Sequence, residues 1–97
     1  MLRLAVALSV LAAASAAAAD EDGRKLFTSV TPACALCHTL KDAGATGAIG
    51  PSLDELKPDA ARVRQALKTG IGQMPAFTQL SAEQVEALAK YVEQATR

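Results

Sequence analysis

Two thiols and an imidazole stand together in the run Cys34-Ala35-Leu36-Cys37-His38. Thiols bond covalently to carbon or metal and imidazole binds a metal, so this short run can hold a metal cofactor by its rim and its centre at once. The spacing C-x-x-C-H is the attachment signature of a c-type haem: Cys34 and Cys37 reach the two vinyl groups on one edge of the porphyrin, and His38 takes the iron as proximal ligand. Ala35 and Leu36 set the reach. Structural zinc needs four N or S ligands, and two cysteines and one histidine are all the chain holds. A thioredoxin-like couple needs a βαβ surround that the sequence does not offer. A Cys34–Cys37 disulfide remains as the state before haem is attached in an oxidising compartment.

A second ligand is expected at Met74. Apart from Met1 it is the only methionine, and it sits in the turn Gly70-Ile71-Gly72-Gln73-Met74-Pro75. That is poor placement for filling a core and good placement for presenting a thioether to iron as the distal ligand. Gln73 beside it either bonds the sulfur or a propionate, or faces solvent. A metal-bound histidine donates its second ring N–H to a carbonyl or carboxylate. Pro51 is either that acceptor for His38 or a plain turn proline, and spacing does not choose.

The elements that must position these groups read as helices. The acidic start at Asp20 suits a helix N-terminus, with Arg24 and Lys25 outward and Leu26 and Phe27 inward, and Thr31-Pro32 stops this helix near Val30. Lys41 to Gly50, with glycines at 44, 47 and 50, reads as an irregular loop, since a phosphate cradle would need a preceding strand. Pro58 can occupy the first turn of a helix through Ala60, Val63, Ala66 and Leu67 that ends at Gly70. Leu67 and Ile71 are then expected as pocket wall. Ser81 and Gln84 form a capping box, with Leu80 and Val85 as staple, opening a last helix whose stripe is Val85, Leu88, Ala89 and Val92, with Tyr91 at its edge. Its expected partner is the first helix.

Residues 1–19 have the make-up of a secretory signal peptide: Arg3 in a short n-region, an apolar run from Leu4, and small residues before the acidic cluster from Asp20, with Ala14-Ser15-Ala16 as a rival cleavage site. Leu4 to Ala19 is short of the roughly 20 apolar residues that a membrane span needs. No stable membrane insertion is expected after cleavage. Residues 20–97 form one domain, near the roughly 70–80 residues below which a core alone seldom suffices. One tyrosine, two phenylalanines and no tryptophan are available to fill it. A buried haem can supply the missing volume. Ten basic and ten acidic residues balance, and no patch suits nucleic acid. The bases at 57, 62, 64 and 68 read as a solvated helix face.

Taken in order, these features resemble a small single-domain bacterial class I cytochrome c: Cys34 to His38, Gly50-Pro51 with Leu53 behind, Met74-Pro75, and Gly23 and Phe27 set against Leu88 and Tyr91. The resemblance covers nearly all of residues 20–97. It implies an all-α cytochrome c fold around one covalent haem c per chain, a periplasmic location, Leu53 in the pocket, and a close crossing of the terminal helices at Gly23 and Tyr91. The loop Lys41–Asp54 is similar to that of cytochromes accepting electrons from periplasmic sulfite-oxidising molybdenum enzymes, which implies such a dehydrogenase among the redox donors and acceptors. The basic ring of mitochondrial cytochrome c is absent, as is a propionate-binding tryptophan. With His38 and Met74 both on iron no open position is left, so the expected function is outer-sphere electron carriage and not an enzyme's chemistry. The alternatives are an electron-transfer subunit of a larger oxidoreductase, a five-coordinate peroxidase or gas binder, and a haem-free thiol–disulfide protein.

Overall fold

The computed structural model describes residues 21–97, so the expected signal peptide and its cleavage site lie outside the described residues. Helix α1 covers residues 21–29, followed by α2 (Cys34–Cys37), a short hairpin of β1 (Thr39–Leu40) and β2 (Ala45–Thr46), α3 (Leu53–Leu56), α4 (Ala60–Thr69) and α5 (Ala82–Ala95). The fold is helical, as expected. Its departure is the hairpin: Thr39 pairs with Thr46 and Leu40 with Ala45, around a 3₁₀ turn at Lys41–Ala43 that Gly44 ends at φ +64°. Glycine adopts that left-handed backbone without penalty. The stretch read as irregular is therefore partly ordered, because buried Leu40 and Ala45 give the hairpin an inner face.

Helix α5 is the hub. The Ser81 hydroxyl accepts from Gln84 N–H at 3.1 Å while the Gln84 side chain accepts from Ser81 N–H at 2.9 Å, completing the expected capping box. Its stripe buries Leu88, Ala89, Tyr91 and Val92. Against it α1 lays Phe27, whose ring meets that of Tyr91 edge-on at 6.3 Å and 64°, a pairing worth about 0.5–1.5 kcal/mol beyond its area. A Cβ on Gly23 would collide with the Tyr91 side chain and lie 2.8 Å from the Ala87 carbonyl oxygen. Only glycine lets the two helices cross this closely.

The sequence singled out α1 as the partner of α5, yet α4 is bound to it as firmly. Arg64 donates to the Glu86 carboxylate through Nε and Nη2, at 2.7 and 2.9 Å. Glu93 accepts the Ala60 N–H at 2.7 Å, which satisfies an orphan donor at the N-terminus of α4 and complements its dipole. The start of α4 also differs from expectation. Asp59 is the N-cap, accepting from Arg62 N–H at 2.8 Å, and Pro58 sits buried one residue ahead of it. A side-chain acceptor there outweighs what proline gains in the first turn.

Asp42 ties the hairpin to both terminal helices. It accepts from the Tyr91 hydroxyl at 2.6 Å and from Arg24 at 3.0 and 3.2 Å. These bonds, Tyr91's first, hold its carboxyl below the usual carboxylate range. Burial, and then the bond to Asp42, push the Tyr91 hydroxyl up to about 12. Because an unfolded tyrosine titrates near pH 10, the folded chain holds this proton more tightly. The resulting stability is whole below about pH 10 and is lost as pH rises toward the folded value. In denaturant titrations from about pH 8 upward, the wild-type midpoint should fall more steeply than that of Tyr91→Phe above pH 10; parallel profiles would contradict the linkage.

Candidate cofactor site

All eight residues singled out from the sequence line one cavity of about 570 Å³. Its inner walls are carbon: Phe27 from α1, Leu88 and Val92 from α5, and Val63, Ala66 and Leu67 from α4. Leu53 and Leu67 are buried there. Ile71 differs. It is 69% exposed and forms the rim, because a tight turn carries it outward.

The cysteines lie at i and i+3 of α2, which puts both on one side of a single helical turn. Both are half-buried free thiols. Burial pushes the Cys34 thiol up to about 11, the opposite of the lowered values that activate a redox CxxC nucleophile. Among the described residues no group of three or more His, Cys, Asp or Glu could hold a metal ion.

His38 caps α2 in an extended conformation, its N–H donating to Cys34 O at 3.0 Å. Its Nδ1 lies 2.8 Å from the Pro51 carbonyl oxygen. A carbonyl can only accept, so Nδ1 carries the proton and Nε2 keeps its lone pair for a metal. The open choice for Pro51 is thereby decided in favour of the acceptor. Two glycines that the sequence reading left as loop residues bring this carbonyl into reach. A Cβ on Gly50 would lie 2.6 Å from His38 Cε1, and one on Gly47 would lie 2.7 Å from Ala35 O and Cys37 N. Gly50 N–H donates to Cys37 O at 2.7 Å, and the Thr39 hydroxyl to Gly47 O at 2.9 Å. The loop is laid flat on α2 because it has no side chains there. Its signal was present: glycine at i and i+3 directly before the proline.

Met74 is half-buried and held by its backbone. Ile71 and Met74 exchange both N–H···O bonds, at 3.0 and 2.9 Å, across a two-residue turn with Gly72 at φ +55°. Phe77 N–H donates to Leu67 O at 2.7 Å, tying this segment to α4. Gly70 has φ +69°, and a Cβ on it would lie 2.7 Å from Met74 O. The Gln73 side chain also lines the cavity and makes no hydrogen bond to Met74 among the described residues. Of the bases read as a solvated face, Lys57, Arg62 and Lys68 are exposed and Arg64 is half-buried; Arg64 pairs with Glu86, and Arg62 also lines the cavity.

A family model described as cytochrome c oxidase, cbb3-type, subunit III matches residues 18–92. The chain belongs to this family of c-type cytochromes. The crystal structure of the c-type cytochrome SorU from Sinorhizobium meliloti is similar to it, with 52% sequence identity, a TM-score of 0.78, and coverage of 80% of this chain and 91% of that one. Comparison with curated proteins finds no match.

The cytochrome is thus an electron carrier with a covalently bound haem c. The cavity fits that group. Its volume is in the range of about 300–1,000 Å³ usual for cofactor sites, its walls are apolar, and its donors are soft sulfurs and one imidazole. Among the described residues no helix is long and apolar enough to cross a membrane.

A methyl at position 50 must displace either the imidazole or the loop, which should cost about 1–3 kcal/mol. Gly50→Ala should therefore lower the denaturation midpoint and alter the visible spectrum of the holoprotein. Gly44→Ala, which meets only backbone strain and open space, should lower the midpoint and leave the spectrum alone. An unaltered Gly50→Ala spectrum would show that the contact with His38 does not reach the metal.

Proposed function

We propose that the cytochrome is a periplasmic, monohaem, one-electron carrier in which Cys34 and Cys37 form the thioethers, His38 is the proximal ligand and Met74 the distal one. The observation that carries this reading is that a histidine with its Nε2 lone pair free and a methionine fixed in a tight turn line the same apolar cavity. When bound, the haem supplies reversible one-electron chemistry, and two protein ligands leave no position for substrate. The chain's residues do the rest. Pro51 holds the His38 tautomer and raises its basicity through the Nδ1 hydrogen bond. Leu53, Leu67 and the neighbouring carbon walls exclude water, and with the soft Met74 sulfur they favour the less charged ferrous state. Residues 1–19 direct export and are removed, leaving 20–97 as the working domain.

The partners are redox proteins that dock briefly. Ile49, Leu56 and Ile71 at the cavity mouth and Leu36 in the CxxC turn are exposed, an apolar surface suited to a small, short-lived interface. The likeness of the loop Lys41–Asp54 to that of sulfite-linked cytochromes supports a periplasmic molybdenum sulfite dehydrogenase as donor. A second reading, service as a subunit of a larger oxidoreductase, is favoured by the family's description as an oxidase subunit; the size of the native complex separates it from free carriage.

Met74→Ala tests the ligand set. It should turn a low-spin ferric spectrum into a high-spin one and lower the reduction potential. A spectrum identical to wild type would remove Met74 from the iron, and a high-spin wild type would favour the five-coordinate reading.

A further inference from the structure

The basicity of a ligating imidazole is set by what its second nitrogen donates to, so the placement of the Pro51 carbonyl governs the ligand strength of His38. That carbonyl ends the run 47–51, none of whose residues is buried. The near end of the run is pinned to α2 and β1, through Gly50 N–H on Cys37 O at 2.7 Å and the Thr39 hydroxyl on Gly47 O at 2.9 Å. Beyond Pro51 the chain enters α3, a single turn to which the Ser52 side chain gives no capping bond. One turn of helix is not stable by itself. Leu53 anchors its inner side in the core, and one polar bond fixes its outer side.

The Asp54 carboxylate accepts the Lys41 N–H at 2.9 Å. Among the described residues it is the only hydrogen bond between the hairpin and α3. Lys41 opens the 3₁₀ turn, where a backbone N–H has no partner within the turn, so the carboxylate supplies what the backbone lacks. The spacing is what gives this bond a role at the site. His38 meets Pro51, and three residues further along each segment Lys41 meets Asp54; both cross-links join positions 13 apart in sequence. Residues 38–41 and 51–54 are thereby closed into a ring, with Leu40 and Leu53 buried on its two sides. In such a ring one bond sets the length of the other: if the Asp54 end opens, α3 pivots on Leu53 and carries the Pro51 carbonyl away from Nδ1.

We propose that Asp54 is a positioning residue for the proximal ligand: by holding the Lys41 N–H it sets the strength of the hydrogen bond from His38 Nδ1 to the Pro51 carbonyl. The inference rests on the reading of His38 as iron ligand given above. Asp54 does not line the cavity, so it acts only through the ring. A shorter Nδ1–H···O bond makes the imidazole a stronger donor and favours ferric iron. The Asp54 anchor therefore lowers the reduction potential.

His38 is the one histidine in the sequence, so NMR of the ferrous holoprotein isotope-labelled at histidine reads its Nδ1–H alone, and a redox titration of the same samples reads the potential. Asp54→Ala should move the Nδ1–H resonance upfield and raise the potential. Asp54→Asn, which loses the charge but keeps an acceptor oxygen, should retain most of both wild-type values. Asp54→Ser, too short to reach the Lys41 N–H yet well suited to the start of a helix, should behave as Asp54→Ala and stands in for it should the alanine variant not fold. Ser81→Ala, which loosens the fold at the α5 cap, should change neither reading. Wild-type values in Asp54→Ala or Asp54→Ser overturn the assignment. So does Asp54→Asn displaced as far as Asp54→Ala, since charge alone would then explain the shift, and so does Ser81→Ala displaced as far, since general loosening would. Were His38 off the iron, its ring protons in the wild type would lack the ring-current shift of a porphyrin, so failure of the ligand reading is seen separately.

Discussion

The structure depends on one constraint: a chain this short, with three aromatic side chains, does not close its own core. Phe27, Leu40 and Leu88 are fully buried where α1, the hairpin and α5 meet, but Phe27 and Leu88 are also walls of the cavity. With them Leu53, Leu67, Phe77 and Val92 face this space of about 570 Å³. Carbon walls of that extent are stabilising only when something apolar covers them, since each apolar side chain left open to water forgoes about 1.5–3 kcal/mol of burial. The cofactor is therefore a structural element as much as a working one, and the side chains that bind it are also the second half of the core.

Around that constraint the chain is divided between frame and clamp. The frame is α5 with α1 and α4 laid across it, locked by the Gly23–Tyr91 approach, the Asp42 bonds and the Glu86 and Glu93 carboxylates. Single exposed ion pairs contribute little, so the frame's strength lies in the packed stripe of α5 and in capped helix ends. The clamp is made of loops. Residues 47–51 set the His38 ring and residues 70–77 set Met74, each through glycines that let backbone approach backbone, and each tied by backbone hydrogen bonds to a helix. The two proposed ligands are held by segments with little side-chain packing of their own.

Much of this was legible in the sequence because the relevant signals are local. C-x-x-C-H, the capping box at Ser81 and Gln84, and the methionine between glycines and a proline are each read within a few residues. The eight site residues converge on one cavity for the same reason: each belongs to a local motif. What sequence reading missed is long-range or depends on backbone detail. The carboxylate of Glu93 reaches Ala60 across 33 positions, and no periodicity announces that. Gly47 and Gly50 read as residues of an irregular loop, since a requirement for close approach looks the same in sequence as a turn. Asp59 was a missed N-cap because Pro58 offered a competing start. Arg64 was read with its basic neighbours as solvated, and only the helix phase, which turns it to Glu86 on α5, separates it from exposed Arg62.

Hydrogen exchange on the haem-free chain, compared with the holoprotein, tests the central claim most directly. If the cofactor is half of the core, the amides of Gly50, Phe77 and α4 should lose their protection without it, and unfolding should cease to be cooperative. A haem-free chain with the holoprotein's protection pattern and a sharp unfolding transition would contradict the account.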